Sequence, residues 1–242
     1  MDEDAVDVTD ADDETIQWRR DASTSRTVRL LWTFGVGTFF AAILTVVCWR
    51  LYRLAGEAAG GTGHTVVVAL IAAIAATVLA VAASSDTERH LERLPVDIPG
   101  EKRLDRAVDA AVGTVVMGGV IGLLMGVGRY VSQNELLAVG ASPFTFVAAV
   151  SVPLALVALV LASFLQSVGR LDPEERTIYL YEPEQVIDLA VIEAVSIRRL
   201  GDAAVLSLTY AQPDGQYVQG PRRIVVPPAV ARDVAALVGS EN

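Results

Sequence analysis

Residues Leu30–Trp49 read LLWTFGVGTFFAAILTVVCW, twenty residues without a charge. At about 1.5 Å of rise per residue, such a stretch crosses the roughly 30 Å hydrocarbon core of a bilayer as one helix. Arg19, Arg20, Arg26 and Arg29 precede it. Basic residues stay on the cytoplasmic side of a first span, so this end of the run belongs in the cytoplasm.

Three more apolar runs follow: Thr65–Ala83, Ala110–Val127 and Pro143–Leu165. A soluble core helix rarely stays uncharged for so long, and four in a row point to a membrane. The expected spans are 30–52, 64–84, 108–130 and 143–167, a membrane all-α four-helix bundle built as two hairpins, together residues 30–168. The loop 85–106 carries Arg89, Arg93, Lys102, Arg103 and Arg106, whereas the outer loops carry Arg50, Arg53 and Arg129. This asymmetry matches the positive-inside rule with both termini cytoplasmic. Trp32, Trp49, Tyr52 and Tyr130 mark span edges.

Apolar residues make up 52% of the chain and charged ones 20%, a membrane-like balance. The net charge of -10 is uneven, because eight acids and no base fall within residues 1–15. Such a block cannot bury itself, so residues 1–29 read as an acidic disordered tail with a basic juxtamembrane segment. It also lacks the basic start of a secretory signal peptide. Lys102 is the sole lysine among 19 basic residues. The lone Cys48 excludes an internal disulfide.

Within the spans, Ala110, Thr114, Gly118, Gly122 and Gly126 recur every four residues, as do Ala72, Ala76, Ala80 and Ser84. Small residues let helix backbones approach closely in lipid. The expectation is packing of the second run on the third; the alternative is a dimer seam. Pro153 should kink the fourth run. Asp109, just ahead of the third run, reads as a first-turn acid that suits the helix dipole. A short helix, Asp86–Leu94, fits the inner loop.

After Gly169 strand signals appear. Thr177–Tyr181, Val186–Val191, Val195–Leu200, Ala204–Tyr210 and Ile224–Val226 alternate, with turns at Gly201-Asp202 and Pro213-Asp214-Gly215. Val230, Val234, Leu237 and Val238 then fall at helical spacing behind Pro227-Pro228. Residues 171–242 should form a small cytoplasmic α+β domain, an antiparallel sheet plus a C-terminal helix.

RTIYLY, QVIDLAVIEAVSIRRLGD and RRIVVPPAVARDVAALV carry a resemblance to the small pleckstrin-homology-like domains of prokaryotic membrane proteins. It covers about the last 70 residues and rests on pattern. In layout and in its Arg-over-Lys composition the chain is similar to uncharacterised multi-pass proteins of halophilic archaea. The resemblance implies a place in the cell membrane and no particular activity.

No catalytic pattern emerges. His64 and His90 fall on opposite sides of the expected membrane, no Cys-x-x-Cys supplies metal ligands, and no phosphate-binding loop is present. No catalytic, cofactor-binding or metal-binding residue is assigned, and no cofactor is expected. Arg198, Arg199, Arg222 and Arg223 are candidate contacts for a lipid headgroup or a partner. Neighbours on a strand point to opposite faces, which splits each pair and favours a solvated role. The expected function is a non-enzymatic scaffold or interaction protein acting through its cytoplasmic domain. Its partners are the lipid bilayer and a protein partner or a second copy, with no nucleic acid. The alternative is a small transporter or channel subunit with a path along the second and third runs.

Overall fold

The computed structural model describes residues 15–84, 101–211 and 220–239. In chain order these form β1 (Ile16–Arg20), α1 (Arg26–Ala83), α2 (Glu101–Gln133), α3 (Ser142–Phe164), β2 (Ser167–Asp172), β3 (Thr177–Tyr181), β4 (Glu184–Asp188), a short 3-10 turn (Leu189–Val191), β5 (Ile192–Leu200), β6 (Ala203–Tyr210), β7 (Arg223–Val226) and α4 (Pro228–Gly239). The chain divides into two units, Arg29–Ala162 and the combination of Met1–Val28 with Ser163–Asn242.

In the helical unit, α1, α2 and α3 are each long and apolar enough to cross a membrane. Among the described residues that is three helices, not the expected four. The difference lies at Gly60. The first two apolar runs sit in one 58-residue element because helical hydrogen bonding resumes directly after that glycine, with no loop in between. Gly60 itself has φ 60° and ψ -138°, a conformation open only to a residue without Cβ. The chain folds back there, and the rings of Tyr52 and His64 stack with centroids 4.0 Å apart. The expected outer loop around 53–63 is therefore helical apart from its turn. Other bounds shift too. Helix α2 begins at Glu101, several residues ahead of the expected start at 108, and α3 ends at Phe164. Helix α3 runs through Pro153. Large side chains such as Val46, Leu123 and Phe146 lie exposed on these helices, as lipid-facing residues do.

Among the described residues the second unit holds seven strands. One antiparallel sheet has the order β1-β2-β3-β4 and the other β5-β6-β7. The single sheet expected from the sequence is thus two. Strand β1 is a correction to the tail reading of residues 1–29: Ile16–Arg20 pairs along its whole length with β2, from Ile16 opposite Leu171 to Arg20 opposite Ser167. The domain also begins before residue 171, since β2 starts at Ser167. Trp18, Leu171, Ile178, Leu180 and Ile187 of the first sheet meet Leu206, Leu208, Ile224 and Val226 of the second in one core. Helix α4 closes it with Val230, Ala231, Val234 and Val238, at i, i+1, i+4 and i+8 on one face. Residues 1–14, the Asp86–Leu94 helix, His90 and the Pro213-Asp214-Gly215 turn lie outside the described residues.

Candidate functional site

The segment between β1 and α1 is tied down by short-range polar contacts. Arg19 Nε donates to Asp21 Oδ2 at 2.8 Å, the Ser23 amide donates to Asp21 Oδ1 at 2.8 Å, and the Ser25 amide donates to the Asp21 carbonyl at 2.9 Å. Ser25 then caps α1, its Oγ accepting from the Val28 amide at 3.3 Å. The same hydroxyl donates to Asp202 Oδ2 at 2.8 Å, in the hairpin turn between β5 and β6. Arg20, on β1, completes the cluster. Its Nη2 donates to Ser25 Oγ at 3.0 Å and to Asp202 Oδ1 at 3.2 Å, its Nη1 donates to the Asp202 carbonyl, and its Nε donates to the Leu165 carbonyl at 3.5 Å.

These contacts set the charges. Burial opposes ionisation of Asp202, but hydrogen bonds from Thr27, Ser25 and Arg20 outweigh it and hold the carboxyl well below the usual carboxylate range. Asp21 behaves alike: burial opposes its charge, and Ser23 and Arg19 stabilise it. Gly201 precedes Asp202 at φ 63°, and a methyl group there would lie 2.9 Å from Thr27 Oγ1. The basic flank read from the sequence is therefore largely committed to ion pairs. Arg19, Arg20 and Arg29 pair with Asp21, Asp202 and Asp109. Asp109 lies two turns inside α2, where Arg29 of α1 holds it, so the first-turn reading does not stand.

The outer face of the first sheet carries a mixed patch. Register puts Gln17, Arg170, Tyr179 and Val186 in one row across its four strands. Tyr181 and Val186 are exposed, the Arg170 guanidinium lies 5.5 Å from the Tyr179 ring centroid, and Arg170 pairs with Asp172 at 3.0 Å. Tyrosine and arginine are enriched at protein interfaces.

The candidate arginines fall on the second sheet. Arg198 lies opposite Val205, Arg199 opposite Ala204 and Arg223 opposite Ser207. Ala204 is buried, so Arg199 lies on the core side of β5, while Arg198 and Arg223 share the outer face. Arg222 lies beside β6, its carbonyl accepting from the Leu208 amide. The four residues do not converge on one spot.

The small residues of the spans divide in the same way. Ala72, Ala76 and Ala80 are exposed, and Ser84 is half-buried with its hydroxyl on the Val81 carbonyl. On α2, Ala110 and Thr114 are half-buried, a methyl on Gly118 would sit 4.0 Å from Ala41 Cβ, and Gly122 and Gly126 face open space. The closest helix contact lies one residue off that stripe. A Cβ at Gly37 would come within 2.4 Å of the Gly113 backbone, and one at Gly113 within 2.5 Å of the Thr33 carbonyl. The tight pair is thus the first run with the third, not the second with the third. Ala155, Ala158 and Ala162 of α3 are buried as well, and a Cβ at Gly35 would meet the Leu159 side chain and the Ala155 carbonyl. Thr38 is fully buried in this unit, and its hydroxyl has no hydrogen-bond partner among the described residues. An open groove of about 250 Å³ lies where α2 turns into α3, with Arg129, Ser132, Gln133 and Thr145 among its lining. Comparison with known proteins finds no matching family model, no matching characterised relative and no matching solved structure.

Proposed function

We propose that this chain is a non-enzymatic cell-membrane protein of four spans whose cytoplasmic domain docks a protein partner. The observation that supports it is the ladder between β1 and β2. A strand that precedes the first apolar helix and a strand that follows the last one share a hydrogen-bonded sheet. In a bilayer, that ladder supports an even number of crossings between the two strands. Three unbroken spans would leave the two strands on opposite sides of a hydrocarbon core. Two crossings by α1, turning at Gly60, restore an even count, and the basic inner segments then assign both termini to the cytoplasm.

The strand count of four plus three with a closing C-terminal helix supports the pleckstrin-homology-like resemblance. In this reading the membrane helices are an insertion between the first and second strands of that domain. Its interior is filled with apolar side chains, so recognition falls to its surface, and the Tyr179–Tyr181–Val186 face is the docking surface. A small transporter or channel subunit is the second reading; the unpartnered hydroxyl of buried Thr38 favours it.

Topology is tested with single cysteines at Gly61, Asn134 and Glu193 in a Cys48→Ser background. An impermeant maleimide applied to intact cells should label the first two and spare the third. Docking is tested by affinity capture with the full chain and with Tyr181→Asp/Val186→Asp. Loss of the same captured protein from the double variant supports docking. Identical capture by both forms would sink it, and flux into liposomes that depends on Thr38 would favour transport.

A further inference from the structure

The second sheet ends at β5, which pairs with β6 on one side and with nothing on the other among the described residues. An open edge of this length is a template for another strand, and proteins usually blunt it. Here the edge is nine residues long, and everything from Ser196 to Leu200 is exposed, including the apolar side chains of Ile197 and Leu200.

The sequence of β5 is complementary to itself about Ser196. Ile192 lies opposite Tyr210 of β6 and Ala194 lies opposite Thr209, so Glu193 is an extra residue, a β-bulge. The bulge lets Glu193 and Ala194 share one position on the strand, on the outer face with Ser196 and Arg198. Counted from Ser196, that position is two steps in one direction and Arg198 is two steps in the other. Antiparallel pairing about a two-fold axis at Ser196 thus sets Arg198 of each copy opposite Glu193 and Ala194 of the other. On the opposite face it sets Ile197 against Val195. Neither Glu193 nor Arg198 has an ion-pair partner among the described residues of a single copy.

We propose that β5 is a homodimer edge: two copies of this chain join β5 to β5 in antiparallel register centred on Ser196, giving one six-stranded sheet. The charge pattern selects a second copy over another partner, because one short strand supplies both signs at symmetric distances from its own midpoint. This is an isologous contact, with each pair occurring twice. It uses a different surface from the docking face of the first sheet, so either proposal can fail alone.

The test is disulfide trapping of the full chain in membranes. Ser196→Cys in the Cys48→Ser background should form a covalent dimer on mild oxidation, since opposed residues at a two-fold axis bring Cα atoms about 4.5–5.5 Å apart. Ser207→Cys, on β6 and one strand further in, should stay monomeric. Arg198→Glu should weaken the detergent-solubilised dimer at least about tenfold, and Arg198→Glu/Glu193→Arg should restore it. The single variant's monomer should still elute as one monodisperse species, which separates loss of the dimer from loss of the fold. Trapping by Ser207→Cys as fast as by Ser196→Cys, no rescue by the exchange, or an adduct of the Ser196→Cys variant with a different protein would each overturn the proposal.

Discussion

Arg20 and Asp202 form an ion pair at 3.2 Å across 182 residues of chain. Between them lie the entire helical unit and four of the seven strands, so the contact exists only when both sheets of the second unit are assembled. The Arg20 side chain is 6% exposed and that of Asp202 38%. Arg20→Met removes the cation, takes one of the donors from the Ser25 hydroxyl and leaves Asp202 with the Thr27 and Ser25 hydroxyls but no counter-charge. Breaking a fully buried pair costs about 3–5 kcal/mol; the exposure of Asp202 lowers the expected loss to about 2 kcal/mol. The reporter is Trp18, buried in the domain core. A Trp32→Phe/Trp49→Phe background leaves it as the only tryptophan, and its denaturant midpoint in detergent should fall.

The same cluster sets an acid limit. Asp202 and Asp21 have folded-state pKa values below those of an unfolded carboxyl. A depressed carboxylate adds stability above its unfolded pKa, and that stability drains away as pH falls toward the folded value. The Trp18 midpoint should be flat from about pH 7 to about pH 5 and decline below about pH 4. Asp202→Asn should start lower and decline less steeply. An equal acid slope in both forms would remove Asp202 from the explanation.

Gly169 offers a packing test. It stands opposite Trp18, and a Cβ there would lie 2.5 Å from Trp18 Cζ2 and 2.7 Å from the Tyr179 carbonyl oxygen. Glycine lets the indole lie flat across β2. Gly169→Ala should cost about 1–3 kcal/mol by overpacking. In a Trp18→Leu background the same change should cost less, because the bulky neighbour is gone. Circular dichroism melts of the four forms measure the coupling.

These cases explain what the sequence disclosed and what it withheld. Strands β3, β6 and β7 were legible because Ile178, Leu180, Leu206, Leu208 and Ile224 alternate with polar or outward residues. Strand β1, IQWRR, carries two apolar residues followed by two arginines, which reads as a membrane flank; its second arginine is buried by a turn 182 residues away. Strand β2, SVGRLD, has a glycine where a core side chain would signal a strand, because the indole of Trp18 occupies that space. Arg198 and Arg199 of β5 split between faces, as the alternation of a strand requires. The helix seam went unread because period-four small residues identify a face without identifying its neighbour. Gly37 and Gly113 make the contact, while a Cβ at Gly122 or Gly126 would meet nothing within 4 Å among the described residues.

That seam yields a sharp comparison. Gly113→Val places side-chain atoms where the Thr33 carbonyl and Gly37 stand, and neither is a flexible group that can swing aside. Gly122→Val adds the same volume into open space. Heating in detergent followed by size-exclusion chromatography should show a lower survival temperature for Gly113→Val and little change for Gly122→Val. The reverse order would mean that the stripe at 118–126 is a seam between copies rather than a lipid-facing surface.

The fold-back at Gly60 can be measured directly. In a continuous helix, residues 52 and 64 would stand about 18 Å apart at 1.5 Å per residue. Here their rings stack at 4.0 Å and are within 9° of parallel. Tyr52→Cys/His64→Cys in the Cys48→Ser background should be joined within one chain by a short bifunctional maleimide, giving a faster-migrating band on denaturing gels. Adding Gly60→Ile should abolish that band, because a β-branched residue does not adopt φ 60° with ψ -138° and the arms can no longer close. A band that persists in the isoleucine variant would show that packing of the two arms, rather than the glycine, makes the turn. No band in either form would mean that α1 is one straight rod, and the proposed pair of crossings by α1 would fall with it.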